Sequence, residues 1–183
     1  TIRKVGKVTN EVFTKYKGDK LFLRGPYGNG FDVENYKGRE VVIVAGGTGL
    51  SPVKGIVDYF SKNPQDATST RVIAGFKSPK DMLFKEDMKE WEKNINFTLT
   101  VDSAEEGYEG NVGLVTKYIP ELKFEDMDTA QVIVVGPPMM MKFTVAEFLK
   151  LGMKEENIWI SHERKMCCGL GKCGHCRIDD TYG

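Results

Sequence analysis

The sequence lacks what would place it in a membrane or on a nucleic acid. Its longest uninterrupted apolar run, Val41 to Ala45, falls far short of the ~20 residues a membrane-spanning helix needs. Residues 1–10 are polar and basic, with no apolar stretch that would read as a secretory leader. An excess of charge of one sign is also missing. The 26 Lys and Arg cancel against 26 Asp and Glu, which argues against nucleic-acid or anionic-membrane partners, because both select basic surfaces. Cysteine is confined to one window, with all four residues between Cys167 and Cys176. Such crowding suits a metal site better than a disulfide framework and points to a reducing compartment, the cytoplasm.

What is present is the composition of a folded protein, 40% hydrophobic and 28% charged. At about 150 residues per domain, 183 residues suit one full domain and a piece of another. Thr1 is not an initiator Met, and the chain stops seven residues past Cys176. The expectation is a fragment of a longer chain.

Three regions follow one another. Residues 1–36 read as short strands separated by the turns Lys17-Gly18-Asp19 and Gly25-Pro26-Tyr27-Gly28-Asn29-Gly30; Lys20 to Arg24 alternates as a half-buried strand does. Three strands or so cannot bury a face alone, so this region is expected to end a β domain. Residues 37–161 alternate strands with helical stretches. Strands are predicted at Val41–Ala45, Arg71–Gly75, Phe97–Val101, Gln131–Val135 and Asn157–Ile160, and helices at about 52–63, 80–93, 113–119 and 138–151. Near-continuous apolar strands in such alternation predict an α/β fold, a five-stranded parallel sheet covered on both faces. Gly152 stands where a left-handed residue ends the last helix. Residues 162–183, with three Gly around the cysteines, are expected to be irregular.

Gly46-Gly47-Thr48-Gly49-Leu50-Ser51-Pro52 lies between the first strand and the first helix. Glycines there let a backbone approach a phosphate, and the helix start aims N–H groups at it. Ser51 can cap that helix, and Pro52 fits its first turn. The alternative is a tight strand–helix turn with no ligand. The second strand ends without an acid, whereas Asp102 ends the third, where a carboxylate could bind a ribose diol and repel a 2′-phosphate; a plain surface Asp is the other reading. Gly136 and Pro137 can shape a second loop at the same sheet edge, followed by Met139 to Met141, whose individual side chains read equally well as core packing.

Cys168-x4-Cys173-x2-Cys176 matches the first three ligands of a plant-type [2Fe–2S] site. Gly169, Gly171 and Gly174 let a loop wrap a cluster and point N–H groups at its sulfurs. Cys167, adjacent to Cys168, is read as a non-ligand, and a fourth cysteine is expected beyond Gly183. Zinc with His175 or His162 as fourth ligand is the competing reading.

Together these segments resemble the ferredoxin–NADP reductase superfamily over essentially the whole chain. The resemblance implies a flavin-binding β-barrel followed by a nicotinamide domain of strand order 3-2-1-4-5. It assigns Gly6, Lys7, Val8 and Thr9 to the flavin pyrophosphate, and Gly25-Pro26-Tyr27-Gly28 to the barrel's last turn. It assigns Gly46, Gly47, Thr48 and Gly49 with Pro52 to the nicotinamide pyrophosphate. Gly136, Pro137 and Met140 match the Cys-Gly-Pro-x-x-Met loop, with Val135 replacing its cysteine. Asp102 sits where NADH-using members carry Asp. The Arg-x-Tyr-Ser flavin motif is not found in the chain. The cysteine run, Glu163 to Cys176, is most similar to electron-transfer subunits of anaerobic sulfite reductase, then to hydrogenase gamma-type subunits. The Lys172-Cys173-Gly174-His175-Cys176 stretch disfavours the dihydroorotate dehydrogenase type.

The function so implied is a relay. Electrons pass from NADH through FAD and a [2Fe–2S] cluster held by Cys168, Cys173 and Cys176 to a sulfite reductase partner subunit. The alternatives are a hydrogenase diaphorase or a dihydroorotate dehydrogenase electron-transfer subunit, and, from another class, a nucleotide-binding module with structural zinc. No catalytic acid or base is expected, since the cofactors carry the chemistry.

Overall fold

The computed structural model describes residues 1–164, 166–178 and 181–182. Lys165, Asp179, Asp180 and Gly183, part of the expected cysteine segment, lie outside the described residues. In chain order the elements are α1 (Lys7–Val12), β1 (Glu40–Gly46), α2 (Leu50–Lys62), β2 (Ser69–Phe76), α3 (Lys85–Asn94), β3 (Asn96–Val101), β4 (Asn111–Val112), β5 (Gln131–Val135), α4 (Pro138–Lys150), β6 (Ile158–Ser161), β7 (Arg177–Ile178) and β8 (Thr181–Tyr182). They fall into two compact units, one made of Phe31–His162, the other of Thr1–Gly30 together with Glu163–Gly183.

The larger unit is a six-stranded sheet of order β4-β3-β2-β1-β5-β6, with every pairing parallel. Both faces of β1 are buried, which is why its sequence is continuously apolar rather than alternating. Val41, Ile43 and Ala45 face one core with Leu50, Val53, Val57 and Phe60 of α2 and with Trp91 of α3. Val42 and Val44 face the other core with Met141 and Phe148 of α4. The inward residues of α2 recur at helical spacing, so that helix lies along the sheet. α4 ends in a Schellman motif: the Gly152 N–H donates to Leu149 O and the Met153 N–H to Phe148 O, with Gly152 at φ +95.

A pair of buried Glu40 and largely buried Arg71 closes the edge of the sheet where the strands begin. Arg71 lies 2.8 Å from the Glu40 carboxylate, which also accepts the N–H groups of Glu125 and Asp126. The guanidinium donates to the Lys123 carbonyl and sits over the Phe124 ring.

Several expectations need correction. The sheet has six strands rather than five, because Asn111–Val112 pairs with β3. The stretch around 80–93 is helical only from Lys85; Pro79–Asp81 is a 3-10 turn, and Met82, Leu83 and Phe84 turn inward against the core instead of continuing a helix. The stretch 113–119 is a 3-10 turn at Val115–Tyr118, because Gly113 at φ +139 breaks it and one turn alone is too short to propagate. Ser51 is not the cap of α2, since Gly49 holds that position.

The smaller unit departs most. Residues 1–33 contain α1 and no strand among the described residues. Lys20 to Arg24 alternates as expected, yet Phe22 is 98% and Leu23 91% exposed. Alternation makes a strand only when a neighbour completes its ladder, and none of the described segments does so. β7 and β8 pair antiparallel after the cysteines.

Candidate functional site

Parallel strands place all their carboxyl ends on one edge. Here the chain runs from β1 outward through β2, β3 and β4, then returns to β5 on the other side of β1. Ligands of open α/β sheets bind at such a reversal, above the gap between the two middle strands. The loops after β1 and β5, Gly46 to Gly49 and Gly136 to Met140, both lie there.

The structure gives these glycines different jobs. A Cβ on Gly49 would stand 2.5 Å from the Val135 carbonyl oxygen. On Gly46 it would stand 2.3 Å from Met140 Sδ, and on Gly136 2.7 Å from Met140 Cε and 3.1 Å from the Gly46 nitrogen. Gly46, Gly49 and Gly136 are therefore demanded by the approach of one loop to the other, with the Met140 thioether wedged between them. Gly47 differs: it adopts φ +54 with open space where a side chain would project. It is the glycine of the four that leaves room for a ligand.

The 3-10 turn Gly47–Gly49 runs directly into the 13-residue α2. The first N–H groups of this run have no carbonyl one turn earlier to bond, and the helix dipole adds partial positive charge, so the loop is built to receive an anion. Thr48 is part of this turn. Pro137 caps α4, and Pro138 opens it at a position that needs no N–H.

Asp102 follows β3 directly at the same edge, and its N–H donates to the Phe76 carbonyl. Its side chain is exposed and has no partner among the described residues. The loop that carries it is pinned from both ends. Ser103 Oγ donates to Lys77 O, while the buried Thr100 hydroxyl donates to Gly113 O at 2.7 Å. An exposed Lys80–Glu105 pair links it to the loop after β2. Sequence reasoning missed Thr100 and Ser103, which carry no periodicity or spacing signal, and, although spacing named Met140, it missed the wedging contact, which only packing shows.

In the smaller unit, Gly6 caps α1. The Thr9 hydroxyl accepts the N–H groups of Val5 and Gly6 and donates to the Gly6 carbonyl. Lys7 and Val8 are exposed on the first turn.

The cysteine loop brings two of the expected thiols together. Cys168 Sγ accepts the Leu170 N–H at 3.3 Å, with the N–H groups of Cys173 and Lys172 and the Cys173 thiol close enough to stabilise its charged form. Those donors, Leu170 first, push the Cys168 thiol down to about 6 from an ordinary 9.0. Cys176 is buried, and Cys167 is exposed. Among the described residues no group of three or more His, Cys, Asp and Glu is close enough to hold a metal ion, so Cys176 does not join the pair, and neither does His162 or His175. The donor chemistry fits thiolate ligation, as N–H groups aimed at sulfur stabilise the charged form. Among the described residues no helix is long and apolar enough to cross a membrane.

Comparison with known proteins bears on this edge of the sheet. Residues 43–146 match the family described as oxidoreductase NAD-binding domain. The chain is 32% identical to sulfhydrogenase 1 subunit gamma of Pyrococcus furiosus over 97% of its length and 62% of that subunit. It is 33% identical to a probable dihydroorotate dehydrogenase B (NAD(+)) electron transfer subunit of Thermococcus kodakarensis, over 97% of this chain and 67% of the relative. Among solved structures, an NADH-dependent reduced ferredoxin-NADP oxidoreductase studied for flavin-based electron bifurcation superposes with a TM-score of 0.72 at 30% identity, over 94% of this chain and 58% of that one. The chain spans 62% and 66% of the two sulfhydrogenase gamma subunits it matches. These matches back the hydrogenase and dihydroorotate alternatives rather than the sulfite reductase reading. With the matched family spanning both glycine loops and Asp102, the chain belongs to the oxidoreductase NAD-binding domain family of the ferredoxin–NADP reductase superfamily.

Proposed function

We propose that this chain is part of an electron-transfer subunit that moves reducing equivalents between NAD(H) and a partner redox subunit of the hydrogenase type. The observation that carries the reading is the pair of interlocked glycine loops at the sheet's reversal point, above an α2 start built for an anion. The likeness of the cysteine run to hydrogenase gamma-type subunits and the sulfhydrogenase gamma relatives support the partner type. A dihydroorotate-type partner is the second reading, favoured by relatives of equal identity.

The chain's own residues bind and orient. The N–H groups of Gly47, Thr48 and Gly49 hold the pyrophosphate of the dinucleotide. Asp102 accepts hydrogen bonds from the adenosine ribose diol and repels a 2′-phosphate. Met140, by filling the space between Gly46 and Gly136, fixes the distance between the two loops and keeps water out of it. Cys168 and Cys173, already side by side, would hold an iron–sulfur cluster together with Cys176 once its sulfur is drawn in, and the cluster supplies storage of single electrons when bound. For FAD, the resemblance assigns Gly6 to Thr9. There the Thr9 hydroxyl takes the N–H groups of Val5 and Gly6, which fixes the start of the α1 turn.

The experiment is purification of the subunit with its native partners, followed by assay of NAD+ reduction with hydrogen, with dihydroorotate, and of NADH oxidation with sulfite. Hydrogen-dependent reduction is expected. Activity with dihydroorotate alone moves the partner to the second reading, and activity with sulfite alone overturns both.

A further inference from the structure

Within the smaller unit, the Gly25-Pro26-Tyr27-Gly28 turn and the cysteine loop touch at two points. A Cβ on Gly169 would stand 2.3 Å from both Cδ1 and Cε1 of Tyr27 and 2.9 Å from its Cζ. The phenol ring therefore lies flat against the Gly169 backbone, and no larger residue fits beneath it. One residue along the turn, a Cβ on Gly28 would meet Met166 Cε at 3.4 Å. Met166 and Gly169 flank Cys167 and Cys168, so the turn grips the loop on either side of the two cysteines. Gly169 sits at φ +67, the left-handed bend that returns the backbone over the Cys168 sulfur and lets Leu170, Lys172 and Cys173 aim their N–H groups at it. The Arg24 guanidinium lies 5.6 Å from the centre of the same ring.

We propose that Tyr27 is a positioning residue for the cysteine loop: its ring, packed on Gly169, holds the bend that keeps the backbone N–H groups directed at Cys168. The role belongs to the ring and not to the hydroxyl, since the contact is through Cδ1, Cε1 and Cζ. It rests on the reading that these thiols are ligands, but the bend itself can be measured with no metal present.

The test uses the full chain and the variants Tyr27→Ala, Tyr27→Phe and Gly169→Ala. In the metal-free protein, amide hydrogen exchange over residues 169–173 should quicken about tenfold or more in Tyr27→Ala, as local opening replaces a packed contact. Tyr27→Phe should exchange at the parent rate. Exchange over β1 and β5 should not change, which reports on folding of the rest. Gly169→Ala should also loosen the loop, but should add less in the Tyr27→Ala background, where the collision is gone. After reconstitution with iron and sulfide, Tyr27→Ala should lose visible absorbance faster and give a broadened EPR signal on reduction, with Tyr27→Phe restoring both. Unchanged exchange in Tyr27→Ala, or a Tyr27→Phe variant as loose as Tyr27→Ala, overturns the proposal. If the parent chain takes up no iron–sulfur cluster while exchange behaves as expected, the ligand reading fails and the positioning role stands.

Discussion

At the scale of single residues, Gly47 and Gly49 separate ligand space from packing space. Gly49→Ala drives a methyl group to 2.5 Å from a backbone oxygen, which cannot swing aside, so it should lower both the melting temperature and NADH affinity. Gly47→Ala meets no protein atom within 4 Å, so it should cost the fold only the left-handed backbone strain of about 1–2 kcal/mol, while its methyl group enters the ligand space and lowers NADH affinity. Calorimetry of the two variants checks the contrast, and equal losses would contradict it. The role proposed for Asp102 acts through charge. Asp102→Ser removes charge-assisted hydrogen bonds worth roughly 1.5–3 kcal/mol, about ten- to a hundredfold in affinity. The ratio of NADH to NADPH binding, measured by titration, should shrink accordingly; an unchanged ratio makes Asp102 an ordinary loop residue. Cys168 acts through its proton. Its folded value, about 6, lies below the ordinary 9.0, so the thiolate's contribution to the loop is complete above 9.0 and is lost as pH falls through 6. Alkylation of Cys168 in the metal-free chain should therefore titrate with a midpoint near 6, whereas a midpoint near 9 would show that the N–H groups are not directed at the sulfur.

At the scale of elements, Met140 makes the start of α4 part of the nucleotide loop. By packing pattern Met139, Met140 and Met141 read alike, and only the resemblance singled out Met140; in the structure Met139 is 59% exposed, Met141 is buried in the core and Met140 reaches across to Gly46. Met140→Leu keeps most of the volume and should cost less than about 1.5 kcal/mol. Met140→Ala leaves a gap between the loops and should cost about 2 kcal/mol, the low end for Met→Ala because the site is only partly buried. NADH affinity should fall with it, since the loop proposed to hold the pyrophosphate loses its stop. A Met140→Ala variant that binds NADH as the parent does would place the wedge outside the binding machinery.

For the molecule as a whole, the two edges of the sheet divide the labour. The edge where the strands end carries the glycine loops and Asp102. The edge where they begin carries the Arg71–Glu40 pair, largely buried and tied to two further backbone N–H groups. Arg71→Ala leaves a buried carboxylate without its cation and should destabilise by about 3–5 kcal/mol. Because that pair lies at the far edge, NADH affinity of the folded fraction should stay at the parent value. A large loss of affinity at constant fold would mean that the two edges communicate.

What the sequence determined by itself was five of the six strands and the loops that follow the central ones. Val41 to Ala45 and Gln131 to Val135 are buried on both faces and could form nothing but central parallel strands; glycine and proline punctuation then marks the loops above them. Helix ends were legible where a residue has one use, as at Gly152, whose left-handed conformation any other residue resists. The tertiary structure decided the rest. Lys20 to Arg24 has the alternation of a strand and lacks a partner ladder, and pairing is not encoded in one segment. Phe84 and its neighbours abandon a helix because the core takes their side chains. The motif around Gly46 announced a phosphate loop, but only the packing showed that two of its glycines serve a neighbouring loop and one is open. In the cysteine loop, spacing named three thiols, and the fold brings two together. Spacing fixes the order of donors along a chain, whereas the bend at Gly169 and the ring that rests on it fix where their sulfurs point.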